Sequence, residues 1–345
     1  MPSSKPALSP SIVHHRLMKA TKPALAYDGG DVAAWQRKLR RKLRELTGLA
    51  RMPKAKGAPK VRSLWKQDHQ QGTIEKLLLN MEPGCDATAY LCLPKNAAAP
   101  YIPFICVQGH APGAGWSIGR DPADDTKPIE IEGDRDYGIT CMKLGIAALC
   151  IEQRGFGQRH ETLISQAQSQ GWCHDMTMHA LMLGRAVIGE RVYDIDRAID
   201  YLAARRDMDM ARLGVMGNSG GGTASMFAAA MLPRLRYAMP SCYFCTFADS
   251  IMAMYHCECN YVPGLLLYAE HAEIMGLFAP RPVVIVAGKD DPIFPCGATR
   301  REFRRLKSIY AAAGAEGNCT LVVGDGEHRF YADDAWPKML RYLKK

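Results

Sequence analysis

Short uninterrupted runs of apolar residues recur along most of the chain, separated by longer amphipathic stretches. Runs of this length, bounded by polar loops, predict strands that are buried on both faces; they occupy 102–107, 146–151, 213–216, 237–240, 283–287 and 320–323. Between them apolar residues return at helical spacing, as within 190–204 at Val192, Ile195, Ile199 and Leu202. Strands that alternate with helices predict the α/β class, with a mostly parallel central sheet covered by helices on both faces.

Further elements precede the first of these runs. Residues 73–96 predict two strands joined by a Pro-Gly turn at 83 and 84. Asp31 is suited to cap a helix whose apolar residues recur at 32, 35, 39, 43 and 46, and Gly48 is suited to end it. Residues 1–30, which are rich in Pro, Ser and Lys, predict irregular structure.

The first 70 residues are strongly basic, with 16 Lys and Arg against four Asp and Glu, in a chain whose net charge is +9. We therefore divide the chain into a basic N-terminal arm and helix over 1–70 and a single α/β domain over 71–345. A basic arm can contact nucleic acid or an acidic partner, but neither aromatic interleaving nor a binding motif accompanies these charges. The arm is expected to be a solvated extension, and nucleic acid is not predicted as a partner.

The bulk composition sets the remaining limits. The chain is 48% hydrophobic and 23% charged, which is typical of a globular protein with a substantial core. It has no run of 18 apolar residues, so no membrane-spanning helix is predicted. The first 20 residues lack the apolar region and cleavage site of a secretory leader, so a cytoplasmic location is expected.

Candidate chemistry centres on LGVMGNSGGGTASMF, residues 213–227, where glycines surround Ser219 between an apolar run and a small-residue run. The stretch predicts a strand, a tight turn and a helix, which suits a phosphate-binding loop or a turn that presents a nucleophile. A phosphate-binding P-loop needs Lys after its last glycine, but Thr223 follows Gly222. Gly217, Ser219 and Gly221 instead fit the Gly-x-Ser-x-Gly nucleophile turn, with a purely structural glycine turn as the alternative.

A serine nucleophile needs a base, and the base needs an acid that fixes its tautomer. In this type of fold the acid and the histidine follow the serine in that chain order. The apolar run VVIVAG leads into Asp290 and Asp291, and the run at 320–323 leads into His328. Each candidate follows a predicted strand, at the sheet edge where open α/β folds bind ligands.

The tetrahedral intermediate of such a reaction needs two N–H donors for its oxyanion. One is predicted from Gly220, directly after the serine, and the other from the loop after the 102–107 strand, at His110 or its neighbour Gly109. Trp116, just past this loop, is a candidate to stack on a sugar, or else a core residue. Arg154, beside Glu152, is a candidate substrate contact, or else part of an ion pair that braces the loops.

With these motifs, the chain from about residue 75 to residue 345 resembles the α/β-hydrolase superfamily. The matching stretches are QGHAPG, EQRGFG, GNSGGG, GKDDPIFP and GEHRF. Within the superfamily they resemble dienelactone-hydrolase-like proteins and acetyl xylan esterase or cephalosporin deacetylase-like enzymes. The resemblance implies an α/β-hydrolase fold and a serine esterase whose triad is Ser219, Asp291 and His328. Dienelactone hydrolases proper carry a cysteine at the position of Ser219, so dienelactone chemistry is not implied.

The acid is assigned to Asp291 rather than Asp290 for two reasons. Neighbouring side chains in an extended segment point to opposite sides, so only one can face His328, and Pro292 biases Asp291 towards an extended backbone. The related esterases place their acid three residues after a glycine in this loop, and Gly288 puts that position at Asp291.

The chain has 12 cysteines, most of them in apolar runs, where Cys behaves as a small buried hydrophobe. One cluster differs, because within 18 residues it holds Cys242, Cys245, His256, Cys257 and Cys259. It has enough soft ligands for tetrahedral zinc, but the one-residue spacing of the last pair is awkward for chelation. We therefore predict no metal and no cofactor, and a reduced loop that lines the acyl pocket.

Together these observations predict a serine hydrolase that cleaves a carboxylic ester through an acyl-enzyme. The acyl group is expected to be small, such as acetyl, on a small molecule or a carbohydrate. The alternatives are a serine peptidase of the same fold and a non-catalytic binding protein that keeps the fold. A homo-oligomer is left open.

Overall fold

The computed structural model describes residues 8–110, 113–163, 171 and 173–344. Its strands are β1 (Val61–His69), β2 (Gly72–Glu82), β3 (Cys85–Pro94), β4 (Pro103–Val107), β5 (Ala147–Ile151), β6 (Gly214–Asn218), β7 (Tyr237–Ser241), β8 (Val283–Gly288) and β9 (Cys319–Gly324). They form one sheet in the order β1-β2-β3-β5-β4-β6-β7-β8-β9. The pairs from β1 to β5 are antiparallel, and those from β5 across to β9 are parallel. The prediction of a mostly parallel sheet is confirmed.

Helices precede, connect and follow the strands, and most of them pack on the sheet. They are α1 (Pro10–Ala20), α2 (Val32–Leu46), α3 (Tyr137–Lys143), α4 (His174–Met182), α5 (Val187–Ala203), α6 (Gly220–Met231), α7 (His271–Gly276), α8 (Cys296–Ala312) and α9 (Ala332–Leu343). One apolar cluster contains residues of α2, α5, α6, α7 and α8, and a second contains residues of α3 and α9. The two clusters lie on opposite faces of the sheet.

Strand β4 illustrates why the central strands are apolar at most positions. Ile105 and Val107 join the first cluster, whereas Phe104 and Cys106 join the second. Successive side chains of a strand point to opposite faces. A strand that is covered on both sides therefore has no position for a solvated polar residue.

The N-terminal region was expected to be a solvated extension, but most of it packs against this body. The Asp31 carboxylate accepts the N–H groups of Ala33 and Ala34 at 2.8 and 3.2 Å, which caps α2. Leu39 and Leu43 on α2 are fully buried in the first cluster. β1 pairs with β2 along its length, so the predicted division at residue 70 falls between two paired strands; that division stays a prediction.

A second expectation for this region is also wrong. Residues 1–30 were expected to be irregular, but α1 lies within them. Pro10 occupies the first turn of α1, where a missing N–H costs nothing. No residue of α1 is buried, so the helix leaves little core periodicity in the sequence.

The parallel strands set the position of the candidate site. β4, β6, β7, β8 and β9 all end at the same edge of the sheet, and the next residues are Gln108, Ser219, Cys242, Lys289 and Asp325. Open α/β sheets bind their ligands at this edge. Among the residues described, no helix has both the length and the apolar character needed to cross a membrane.

Candidate active site

Ser219 lies between β6 and α6 in a backbone conformation that L residues rarely adopt. Its φ is 59° and its ψ is −121°. Its N–H donates to the carbonyl oxygen of Ser241 at 3.0 Å, which holds the turn against β7. Such a conformation costs about 1–3 kcal/mol and persists only where the surrounding structure enforces it, commonly at functional sites.

Glycines allow the end of β4 to pack directly on this turn. A Cβ atom at Gly217 would lie 2.4 Å from the carbonyl oxygen of Val107, and one at Gly221 would lie 2.1 Å from the same oxygen. A Cβ at Gly109 would lie 2.6 Å from the carbonyl oxygen of Asn218. The glycines on either side of the serine are therefore required by the close approach of the neighbouring backbone.

Asp291 and His328 form a hydrogen-bonded pair. The Nδ1 atom of His328 lies 2.7 Å from Oδ2 of Asp291. The other oxygen, Oδ1, accepts the N–H groups of Ile293 and Phe294, each at 3.0 Å. The Asp291 side chain is 1% exposed, whereas Asp290 is exposed to solvent. A histidine whose Nδ1 is bound by a carboxylate presents Nε2 as its proton acceptor.

Ser219 and His328 line the same pocket, which has a volume of about 440 Å³. Nε2 of His328 is buried and finds no hydrogen-bond partner among the described residues. The ring of Phe294 stacks on the imidazole, with the ring centres 5.7 Å apart. One pocket is therefore lined by a serine with a strained backbone and by a histidine whose Nε2 has no hydrogen-bond partner among the described residues.

The two predicted oxyanion donors also line this pocket. Gly220 is the first residue of α6, and the first N–H groups of a helix have no acceptor within it. A Cβ at Gly220 would lie 3.0 Å from Nδ1 of His110, so the imidazole of His110 packs against the helix start. Residues 111–112, which continue the predicted oxyanion loop, lie outside the described residues. The oxyanion role of both amides stays a prediction.

Part of the pocket wall comes from the cysteine-containing segment 242–259, which was predicted to line the acyl pocket, but most of the individual lining residues were not predicted. The lining residues not predicted are Gly171, Cys173, His174, Tyr255, Glu258, Asn260, Ile293 and Phe294. Most come from the loop before α4 and from the segment 255–260. Isolated residues in irregular loops have no periodicity, so the sequence held no signal that would bring them together.

The two predicted substrate contacts do not line the pocket. Trp116 packs under the guanidinium of Arg135, whose central carbon lies 4.4 Å from the ring centre. Arg154 is buried, and its Nε and one terminal nitrogen donate to the two oxygens of Asp194 at 2.9 and 2.8 Å. Its other terminal nitrogen lies 2.7 Å from Glu82. Arg154 therefore braces α5 and β2, through partners other than Glu152.

Glu152 is buried against the loop that follows β4. Its Oε2 accepts the N–H of Ala114 at 3.0 Å. Cβ atoms at Gly113 and Gly157 would lie 2.7 and 2.3 Å from that oxygen, so two glycines make room for the carboxyl group. Burial raises the pKa of Glu152 to about 7.

This raised pKa predicts a pH dependence of stability. The folded protein keeps the Glu152 proton up to about pH 7, whereas the unfolded chain loses it near the ordinary value of 4.5. The folded state therefore binds more protons in this window, and its stability falls as pH rises. We expect the free energy of unfolding of the wild type, relative to Glu152→Gln, to fall by about 3 kcal/mol across the window. Urea unfolding of both proteins on either side of the window measures this difference, and an unchanged difference would contradict it.

The predicted cysteine cluster separates in space. Cys242 follows β7 and lies near the Asp291–His328 pair, where burial and the neighbouring carboxylate raise its pKa to about 12. The thiol of Cys245 lies 3.9 Å from the carbonyl oxygen of Pro295. His256 lines the pocket, and burial lowers its pKa, so it is neutral at pH 7.

Cys257 and Cys259 meet two residues from other parts of the chain. Their sulfur atoms, the sulfur of Cys173 and a ring nitrogen of His110 all lie within 4.8 Å of one another. Cys259 Sγ and His110 Nε2 are 3.3 Å apart. The structure therefore assembles a soft-ligand group different from the one that the sequence suggested.

A serine on a strand-to-helix turn after β6, with an Asp and a His on the loops after β8 and β9, is the arrangement of the α/β-hydrolase class. The sheet order and the helices on both faces agree with that class. Residues 3–320 match the family model Abhydrolase_7, described as an Abhydrolase family. The chain belongs to this family.

Comparison with individual proteins gives the same fold. "Putative hydrolase YtaP" of Bacillus subtilis (strain 168) is 28% identical over 294 residues, which are 83% of this chain and 92% of that protein. A "putative acetyl xylan esterase" of Bacteroides fragilis NCTC 9343 has a TM-score of 0.76 at 16% identity, covering 98% of this chain and 86% of that one. A glucuronoyl esterase of Solibacter usitatus has a TM-score of 0.65 at 15% identity, covering 93% and 96%.

Proposed function

We propose that the protein hydrolyses a carboxylic ester through a covalent acyl-enzyme on Ser219. The observation that carries the proposal is the pocket in which a strained serine and the unpartnered Nε2 of His328 lie together, with Asp291 bound to the other face of the imidazole. The names of structural neighbours, acetyl xylan esterase and glucuronoyl esterase, support ester hydrolysis as the reaction class.

In the first half of the proposed reaction, Ser219 Oγ attacks the ester carbonyl carbon while its proton passes to Nε2 of His328. Asp291 keeps the proton on Nδ1 and stabilises the imidazolium that forms. The N–H groups of Gly220 and His110 stabilise the negative oxygen of the tetrahedral intermediate. Collapse of this intermediate breaks the bond to the alcohol, which takes the proton from His328, and leaves the acyl group on Ser219.

In the second half, water replaces the alcohol. His328 takes a proton from the water, whose oxygen attacks the acyl carbon, and then returns the proton to Ser219 Oγ as the acid leaves. The same donors stabilise the second tetrahedral intermediate. No group beyond the chain and water is needed to balance the reaction.

The pocket lining supports a neutral ester with a small acyl group. Among its described residues there is no Lys or Arg, and Glu258 is an acid. A substrate with a negative charge near the ester would therefore lack a cation to bind it. Ile293, Phe294 and Tyr255 supply apolar surface, which suits an acyl group such as acetyl and the face of a sugar.

A panel of chromogenic substrates tests the proposal. Short p-nitrophenyl acyl esters should be hydrolysed faster than long ones, and aminoacyl-nitroanilides should be inert. Turnover of the nitroanilides in preference to the esters would indicate a peptidase. Inactivity towards both, in a folded sample, would indicate a non-catalytic member of the fold. Acetylated xylan and a methyl ester of glucuronic acid then separate the two carbohydrate ester classes.

A further inference from the structure

Four potential metal ligands lie together beside the pocket, and all of them except the buried Cys259 also line it. They are Nε2 or Nδ1 of His110 and the sulfur atoms of Cys173, Cys257 and Cys259, all within 4.8 Å of one another. They come from three separate segments: the loop after β4, the loop before α4 and the segment before α7. Ligands of a tetrahedral zinc ion are about 3.5–3.8 Å apart, as the Zn–S and Zn–N bond lengths require. The pair Cys259 Sγ–His110 Nε2, at 3.3 Å, is already near that spacing.

A buried cation beside the sulfur atoms is an independent observation. Arg191 is 2% exposed, and its guanidinium lies 3.2 Å from Cys259 Sγ and 3.4 Å from Cys173 Sγ. Its other hydrogen bonds are to the carbonyl oxygen of Arg154, and its flat face covers the ring of Phe156. Within the described part of the chain no carboxylate pairs with it. A guanidinium stays charged in proteins, and an uncompensated buried charge is costly.

We propose that His110, Cys173, Cys257 and Cys259 bind a zinc ion as three thiolates and one imidazole. Zn²⁺ with three thiolates carries one negative charge in total, which the positive charge of Arg191 neutralises. Three neutral thiols offer no such compensation. Binding releases the thiol protons to solvent, and the four protein ligands complete the tetrahedron, so the site is structural rather than catalytic.

The sequence did not predict this site because its ligands are not the local cluster. Cys242, Cys245 and His256 do not belong to this group. Of its four ligands, only Cys257 and Cys259 come from the cysteine cluster seen in the sequence. The metal joins the wall of the pocket to His110. If the proposed function holds, the metal thereby positions the loop that carries the second oxyanion donor.

The metal content of the whole protein tests the inference. The protein is purified without chelator, and its zinc is measured by elemental analysis and again by a chromogenic chelator after the thiols are blocked with a mercurial. One equivalent of zinc per chain is expected. Replacement by Co²⁺ under reducing conditions should give the intense sulfur-to-cobalt absorption and the visible bands of a tetrahedral thiolate site.

Two serine variants localise the site. Cys259→Ser should lose zinc on dialysis, bind Co²⁺ at least about tenfold more weakly, and lose part of the sulfur-to-cobalt absorption. Cys245→Ser, a change at another buried cysteine of the same region, should keep the full equivalent and the full spectrum. If Cys259→Ser does not fold, the wild-type zinc content and cobalt spectrum still decide the question.

Absence of bound metal together with absence of the cobalt spectrum in the wild type would overturn the inference. A thiol count two below the twelve of the sequence, in metal-free protein prepared without reductant, would overturn it in favour of a disulfide within the group. The result is separate from the proposed function, because metal content does not depend on ester turnover. Zinc without turnover rejects the esterase proposal alone, and turnover without both bound metal and the cobalt spectrum rejects the metal site alone.

Discussion

Ser219→Ala should abolish ester turnover, with kcat falling by about 10⁴ to 10⁶. The change removes the only atom of residue 219 that can form the acyl-enzyme. It keeps the backbone N–H that donates to Ser241, and alanine tolerates the positive φ no better and no worse than serine. The fold is therefore expected to remain intact, as judged by the melting temperature and circular dichroism.

Ser225→Ala is the matched control for this variant. Ser225 lies on the same helix, α6, is fully buried, and donates its hydroxyl to the carbonyl oxygen of Gly222 at 3.1 Å. Its loss should cost about 1 kcal/mol of stability and leave kcat within a few-fold. Activity of Ser219→Ala within tenfold of the wild type would remove Ser219 from the mechanism.

Asp291→Asn should lower kcat by about 10⁴ while leaving the substrate pocket in place. Oδ1 of the new side chain can still accept from Ile293 and Phe294, which turns the amide NH₂ towards Nδ1 of His328. A donor at this position stabilises the tautomer with its proton on Nε2. That nitrogen can no longer take the proton of Ser219, so the loss falls on kcat rather than KM.

The adjacent carboxylate provides the comparison. Asp290 is exposed, and its backbone N–H bonds to the carbonyl oxygen of Gly326. Asp290→Asn keeps that bond and should change kcat by less than about tenfold. Steady-state kinetics of the two variants on one short acyl ester show which of the two aspartates is the catalytic acid. The reverse order of effects would reassign the acid to Asp290 and leave the roles of Ser219 and His328 unchanged.

The parallel strands of the sheet could be predicted because burial on both faces leaves short apolar runs in the sequence. The predicted parallel strands agree with β4 to β9 to within two residues at each end, since most positions in them are apolar. The cap at Asp31 was equally predictable, because its hydrogen bonds are local. Helix α1 was not predictable from periodicity, since none of its side chains is buried.

In the candidate site, too, the residues that follow strands could be predicted, whereas those on irregular loops could not. Ser219 directly follows β6, and Asp291 and His328 lie on the loops after β8 and β9. Motif and chain order were therefore sufficient to predict that they lie at the same sheet edge. The ligand group of Cys173 and His110 with Cys257 and Cys259 depends on the paths of three irregular loops, which no local pattern encodes. The ion-pair alternative for Arg154 was foreseen, but its partners Asp194 and Glu82 were not, because they lie on elements distant in sequence.

The pocket is formed partly by the ends of sheet strands and partly by irregular loops. Ser219 and the Asp291–His328 pair stand at strand ends locked into the sheet, whereas the facing wall comes from the loop before α4 and the segment 255–260. Loops of this kind tolerate exchange and insertion far better than sheet edges do. Substrate range in this scaffold can therefore diverge, in nature or by loop grafting, while the reactive groups are inherited unchanged.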